Sequence, residues 1–271
     1  MRLFYRAFVA LLTVNLATAS ASEAPGITIS MRDGTAPIMA RSWPDGGLAT
    51  EVVLRAFAAG PDAFRPAIFW DATARGGLNS VDAQKVDLSV HWVQPDCDGV
   101  TQTPICTEFY FSDPVIELVW LLFTPVDREF EYQTAGDLVG KSLCVRGIGE
   151  LVNLSDGLVG VDLGTLTGPE IRQAPDLAEC FDLLVAGRVD AVVADEFSGV
   201  KQLFDQGLTD SVVPLPRPLG AQTLHVVTSK SHWRATTMLY RFNAGLAELK
   251  KSGSYQEILA RHVSLFWQEL E

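Results

Sequence analysis

Apolar residues recur along this chain in short blocks, and their spacing alternates between the two periods that a buried face imposes on strands and helices. Ile27 to Met31 reads as a short strand, followed by a turn-rich stretch through Pro37, Pro44 and Gly46-Gly47. Leu48, Val52, Val53, Ala56 and Phe57 then recur at helical spacing and predict one apolar stripe, on a helix that stops before Gly60-Pro61. Leu177, Phe181 and Leu184 share the face of a second helix, closed by Gly187. Leu239, Phe242, Leu246 and Leu249 define a third, stopped at Ser252-Gly253. Ser254 and Glu257 have the spacing of a capping box at the start of a fourth, which carries Ile258, Leu259 and Val263. Short strands alternating with helices predict an α/β architecture.

One pattern occurs twice. Lys85-Val86-Asp87-Leu88-Ser89-Val90 is echoed about 100 residues later by Arg188-Val189-Asp190-Ala191-Val192-Val193, each a basic-Val-Asp step leading into an apolar strand. Two such helix-to-strand units suggest two lobes of similar construction. No low-complexity tract or obvious linker separates them, so one compact body is expected.

The first residues follow the export pattern. Arg2 and Arg6 precede an apolar run from Ala7 to Leu16, and Ala17-Thr18-Ala19 and Ala19-Ser20-Ala21 offer overlapping cleavage sites. The run is shorter than the about 20 residues a membrane anchor needs, so residues 1–21 read as a signal peptide. No Cys precedes Cys97, which argues against a lipid anchor. About 250 residues remain, enough for one large domain or two ordinary lobes.

The formal charge is −12, and loss of the two arginines takes it to about −14. Nucleic acid and anionic membrane surfaces both select a basic patch, so neither is an expected partner. Four cysteines in an exported chain read as two disulfides, with three possible connectivities. Cys97 and Cys106 bracket a short loop rich in Asp, Gly and Pro and are paired here, which leaves Cys144 for Cys180. Metal binding is the competing reading, but no C-x-x-C spacing exists and the four histidines are scattered. No metal or cofactor is expected.

Four segments carry a further likeness. Phe111-Ser112-Asp113-Pro114 precedes the apolar strand Val119 to Phe123. Asp137-Leu138-Val139-Gly140-Lys141 precedes a strand and Gly147. Then come Gly187 to Asp195 and Leu249-Lys250-Lys251-Ser252-Gly253-Ser254-Tyr255-Gln256-Glu257-Ile258. In this order and spacing the chain resembles the family 3 solute-binding proteins of ABC importers, over nearly its whole mature length, as an atypical member. The resemblance implies a two-lobed periplasmic-binding-protein-like fold of type II, each lobe a mixed sheet flanked by helices, with ligand held between them. It puts crossings near Ile116 to Leu118 and near Pro214 to Ala221. Lobe 1 would then be residues 22–117 plus 220–271, and lobe 2 residues 118–219. Each expected disulfide falls within one lobe, so neither would lock the hinge.

Ligand contacts are expected where strands end and helices begin. In lobe 1 these are His91, Trp92 and Gln94, with Trp70 as a second aromatic wall; core packing is the alternative for either Trp, and a satisfied structural role for His91. In lobe 2, Asp195 matches the family position that pairs with a ligand ammonium, and also reads as a helix cap. Arg146, before Gly147, falls in the family's ligand loop, where it would hold a carboxylate or lie solvated. The family's lobe-1 arginine is missing, since no Lys or Arg occurs between Lys85 and Arg128, and Ile148-Gly149 replaces the usual Thr pair. The expected function is a monomeric periplasmic binding protein that delivers a small polar solute to an ABC-type permease, without catalysis. Alternatives are an accessory role in a periplasmic redox or signalling system, or a dehydratase-like enzyme in which Glu150, Glu196 or His91 does acid–base work.

Overall fold

The computed structural model describes residues 26–34, 36–61, 63–71, 76–95, 97, 104–147 and 169–271. The expected signal peptide, residues 1–21, and the candidates Ile148-Gly149 and Glu150 lie outside them. Strands β1 (Thr28–Arg32), β2 (Ala67–Asp71) and β3 (Leu88–Val93) are parallel and ordered β2-β1-β3. Helices α1 (Leu48–Ala59) and α2 (Gly76–Asp82) lie in their connections. Strands β6 (Ser142–Arg146), β7 (Glu170–Ala174) and β8 (Ala191–Asp195) repeat this arrangement as β7-β6-β8, again all parallel, with helix α4 (Leu177–Val185) between β7 and β8. Helix α3 (Pro104–Glu108) precedes the short strand β4 (Phe109–Phe111).

Two ten-residue strands, β5 (Ile116–Pro125) and β10 (Gly220–Ser229), join the halves. They run antiparallel to each other, with Ile116 opposite Leu224 and Trp120 opposite Gly220. Beyond that stretch β10 pairs with β3 and β4, while β5 pairs with β8 and with β9 (Val212–Pro214). Helices α5 (Glu196–Asp205), α6 (Ala235–Ser252) and α7 (Ser254–Glu269) complete the chain.

The apolar spacings find their faces. Leu48, Val52, Val53, Ala56 and Phe57 of α1 are buried against Ile29 and Met31 of β1, Leu88 and Val90 of β3, and Phe242 and Leu246 of α6. Each such side chain contributes roughly 1.5–3 kcal/mol when fully buried. In the other half, Leu177, Phe181 and Leu184 of α4 pack on Phe123, Val192 and Ala194. Gly187 ends this unit at φ +67°, a left-handed conformation.

The repeated Asp step has an atomic counterpart. The Asp87 carboxylate accepts hydrogen bonds from the Thr28 N–H (2.7 Å) and hydroxyl (2.8 Å). The Asp190 carboxylate accepts the same two bonds from Ser142, also at 2.7 and 2.8 Å. In both cases the Asp backbone N–H points back to the carbonyl and hydroxyl oxygen of that Thr or Ser. One anchoring device thus ties the start of the third strand to the start of the first in each half.

Both expected disulfides form, Cys97–Cys106 and Cys144–Cys180. By loop entropy, the second, with a sequence separation of 36, is worth about 4 kcal/mol, and the first, with a separation of 9, about 3 kcal/mol. One local expectation is corrected. Ser254 does not cap α7; Gly253, at φ +86°, ends α6 and occupies the cap position itself. Because that single left-handed residue completes the turn, Ser254 is already the first helical residue, and its hydroxyl lies 3.2 Å from that of Ser252.

Candidate functional site

In parallel sheets of the order 2-1-3, ligands bind beyond the carboxyl ends of the strands, where the order reverses between the first and third strands. This chain has two such points. At the first, β1 ends in Arg32, next to Asp71 of β2. Ser30 pairs with Ser89, so Arg32 comes level with His91 two residues further along β3. His91 is also the extra residue of a β-bulge, since β10 pairs His225 with Trp92 and the next residue, Val226, with Val90. Such bulges re-aim the chain at sheet rims and sites. Trp92 is the next residue of β3, and Gln94 follows it, exposed.

At the second point, Cys144 pairs with Val192, so Arg146 comes level with Ala194, and Gly147 with Asp195. Gly147 has φ +62° and open space around it. Asp195 caps α5, its Oδ1 accepting from the N–H groups of Phe197 (3.2 Å) and Ser198 (3.0 Å). The capping role is therefore the one its observed bonds express. Phe197 then reaches into the core of the first half, edge-on to Phe266 with ring centroids 5.2 Å apart.

The structure brings His91, Trp92 and Gln94 to one switch point and Arg146, Gly147 and Asp195 to the other. Trp70 goes elsewhere. Its ring lies against Gly46, within 3.1 Å of where a Cβ there would stand, and lines an outer groove of about 620 Å³ with Arg41, Glu51, Arg55, Phe64 and Arg65. Side chains alternate along β2, so Trp70 joins Ile68 on the α1 face, partly buried against the core.

Two residues of this region were missed from sequence. Arg32 carries a usable signal, because Thr28-x-x-x-Arg32 has the same form as Ser142-x-x-x-Arg146. Trp120, opposite Asp195 in the β5–β8 ladder, is buried with an indole N–H that has no hydrogen-bond partner among the described residues. No local pattern announces it.

The segments between the halves are held by polar contacts. His225 is buried on β10, its Nδ1 2.7 Å from the Ser112 carbonyl and its Nε2 3.0 Å from the Thr223 hydroxyl. The carbonyl can only accept, so the ring proton sits on Nδ1. Burial pushes the His225 pKa down, against the raising effects of that hydrogen bond and of Asp113. Ser112 also accepts from the Val226 N–H at 2.9 Å, which fixes the Phe111-Ser112-Asp113-Pro114 segment against β10 just before β5 begins.

Glu196 opens α5 beside the junction. Burial raises its carboxyl pKa, Asp195 adds to the rise, a hydrogen bond from the Val119 backbone opposes it, and Glu117 raises it further. The folded state therefore holds this proton at pH values where the unfolded chain has released it. That contribution to stability is present below the ordinary carboxylate range and is lost as pH rises through the folded value. Glu196→Gln is expected to stabilise the protein at pH 7 and to leave it nearly unchanged at pH 4. Urea midpoints at the two pH values check this, and an equal gain at both would assign the effect to something other than charge.

Asp45, Glu51 and His262 gather their ligand atoms within 4.8 Å. Their donors are already engaged, Glu51 by Arg261 and His262, and the His262 Nδ1 by the Trp43 indole N–H at 3.0 Å. The Arg261 guanidinium bridges Asp45 and Glu51, supplying the positive charge that an ion would bring.

No protein-family model matches the chain, and no curated protein sequence matches it. Solved structures do. The amino acid ABC transporter substrate-binding protein AbpA from Streptococcus pneumoniae, bound to L-arginine, is 16% identical, covers 91% of this chain and 96% of its own, and has a TM-score of 0.64. The GluR0 ligand-binding core from Nostoc punctiforme, in complex with L-glutamate, is 15% identical over 87% of this chain and 98% of its own, with a TM-score of 0.61. This chain has the two-lobed fold of periplasmic binding proteins. A histidine kinase sensor domain with similarity to periplasmic binding proteins shares it, at 20% identity over 88% of this chain and 96% of its own, TM-score 0.64. Strands β5 and β10 lie between the two strand triads in one continuous sheet path. Among the described residues, no helix is long and apolar enough to cross a membrane.

Proposed function

We propose that this chain is a periplasmic solute-binding protein of the family 3 type, which traps a small polar solute between its lobes and presents it to the permease of an ABC-type importer. Lobe 1 comprises residues 22–117 plus 220–271, and lobe 2 residues 118–219. The observation that carries the proposal is the matched pair of switch points, one in each half, joined by the two antiparallel strands β5 and β10. Two disulfides support export to an oxidising compartment. Each is contained in one proposed lobe, so closure remains free. AbpA was solved with L-arginine bound and the GluR0 core with L-glutamate, which supports a solute of amino-acid size.

A second reading has a specific observation behind it. The likeness to a histidine kinase sensor domain favours a role in which the closed form is read by a signalling partner. Both readings require a ligand. A thermal-shift screen with amino acids, polyamines, organic acids and sugars is expected to raise the melting point with one class, because ligand at 100 times its Kd adds about 2.7 kcal/mol. If every class leaves the melting point unchanged, solute binding is refuted.

A further inference from the structure

We infer that the outer groove between α1 and β2 is a second binding site, apart from the two switch points, and that it takes a small planar anion of the aromatic carboxylate class. This goes beyond the solute-binding reading and does not rest on it.

The groove stands at the edge of the first half. β2 ends the sheet path, with β1 between it and β3, so the groove is set apart from the first switch point by a whole strand. Its volume of about 620 Å³ falls in the range of roughly 300–1,000 Å³ that small-ligand pockets occupy. Phe64, Ile68 and Trp70 give it an apolar wall, and each is only partly buried against the core, so part of each side chain stays open to the groove. Gly46 makes room for the Trp70 ring, since a Cβ there would stand 3.1 Å from it. Two aromatic rings on one wall favour a flat partner, because rings gain more from stacked or edge-on contact than from area alone.

The charges decide the ligand class. The ionisable residues lining the groove are Arg41, Asp45, Glu51, Arg55 and Arg65. Both carboxylates are answered from within the protein. Arg261 bridges Asp45 and Glu51, and Arg55 stands 3.5 Å from the Oε1 of Glu51. Arg41 and Arg65 have no such counter-ion. The Arg41 backbone N–H donates to Asp33 at 2.9 Å, which anchors the residue, but neither guanidinium makes a hydrogen bond or ion pair among the described residues. Two uncompensated positive charges thus border an apolar wall, in a chain whose formal charge is −12. A guanidinium presents parallel N–H donors that match a carboxylate in bidentate fashion. A carboxylate carried on an aromatic ring meets the wall and the charges together, whereas a neutral or cationic ligand leaves both guanidinium groups unmet.

Isothermal titration of the chain, disulfides intact, tests this with benzoate, phenylacetate and indole-3-acetate against acetate, benzyl alcohol and benzylamine. At least one aromatic carboxylate is expected to bind more tightly than all three controls. Because Arg41 and Arg65 are exposed, that binding is expected to weaken as salt is raised. The double variant Arg41→Gln, Arg65→Gln is expected to weaken it by about tenfold or more through loss of the charge-assisted contacts. Both positions lie on the surface, so the variant keeps the core intact. Asp195→Asn, at the second switch point, is expected to leave this binding unchanged. An aromatic carboxylate whose affinity falls with Asp195→Asn but not in the arginine double variant binds in the cleft, and overturns the inference. Equal binding of benzyl alcohol overturns the anionic class, and no binding of any aromatic carboxylate overturns the site. None of these outcomes alters the solute-binding reading, which the broader thermal-shift screen tests separately.

Discussion

Replacing Glu51 with alanine is expected to destabilise the protein by about 1–3 kcal/mol, the usual cost of leaving a buried donor without its acceptor. Glu51 is buried in α1, yet its carboxylate meets three cationic or polar groups. Its Oε2 contacts Arg261 and lies 2.8 Å from the Nε2 of the fully buried His262, while Arg55 stands 3.5 Å from its Oε1. The Trp43 indole can only donate, so the His262 Nδ1 must accept and its Nε2–H must point at Glu51. Without the carboxylate, a buried imidazole N–H loses its acceptor and Arg261 keeps only Asp45. The network joins Trp43, α1 and α7, which are 211 residues apart at the His262–Glu51 contact, so its loss should loosen the C-terminal helix from α1. Urea unfolding of Glu51→Ala, His262→Ala and the double variant measures this. A coupling energy near zero between the two would show that they do not act as one unit.

Gly245→Ala is expected to cost about 3 kcal/mol or to prevent folding. Helix propensity alone predicts the opposite, a gain of about 1 kcal/mol for alanine in mid-helix. Packing decides the sign. A Cβ on Gly245 of α6 would stand 1.8 Å from the Ala56 carbonyl oxygen and 2.9 Å from the Gly60 nitrogen. Both are backbone atoms at the end of α1, so no side chain can rotate out of the way. The helices would have to separate, exposing Phe57, Phe242 and Leu246. Overpacking of this kind commonly costs about 1–3 kcal/mol, and more where the backbone must move. The variant's melting curve against wild type is decisive, and an unchanged or raised midpoint would contradict the close α1–α6 approach.

Much of the fold was legible because its signals are local. The stripes of α1 and α4 are set by helical spacing over a few turns; Pro61 forces Gly60 into extended backbone, and Gly187 turns left-handed, so both helices end for local reasons. The Asp87 and Asp190 steps showed that a unit occurs twice. Ser254 misled because a capping-box spacing says nothing of the left-handed glycine before it, which moved the helix start by one residue. Trp70 and Trp92 looked alike as aromatic candidates, yet the face of β2 that meets α1 is chosen by sheet packing, and Trp70 went to that face.

By itself the sequence determined an α/β chain with two similar halves, two disulfides, and Asp195 at a strand-to-helix junction. These follow from periodicity, from short loops and from residue chemistry within a few positions. Only the tertiary structure decided that Arg32 comes level with His91 and Arg146 with Ala194, that Trp120 lies opposite Asp195, and that Glu51 meets His262. Each depends on strand order or on contacts between segments far apart in the chain, and these are set by burial of whole faces rather than by any local pattern.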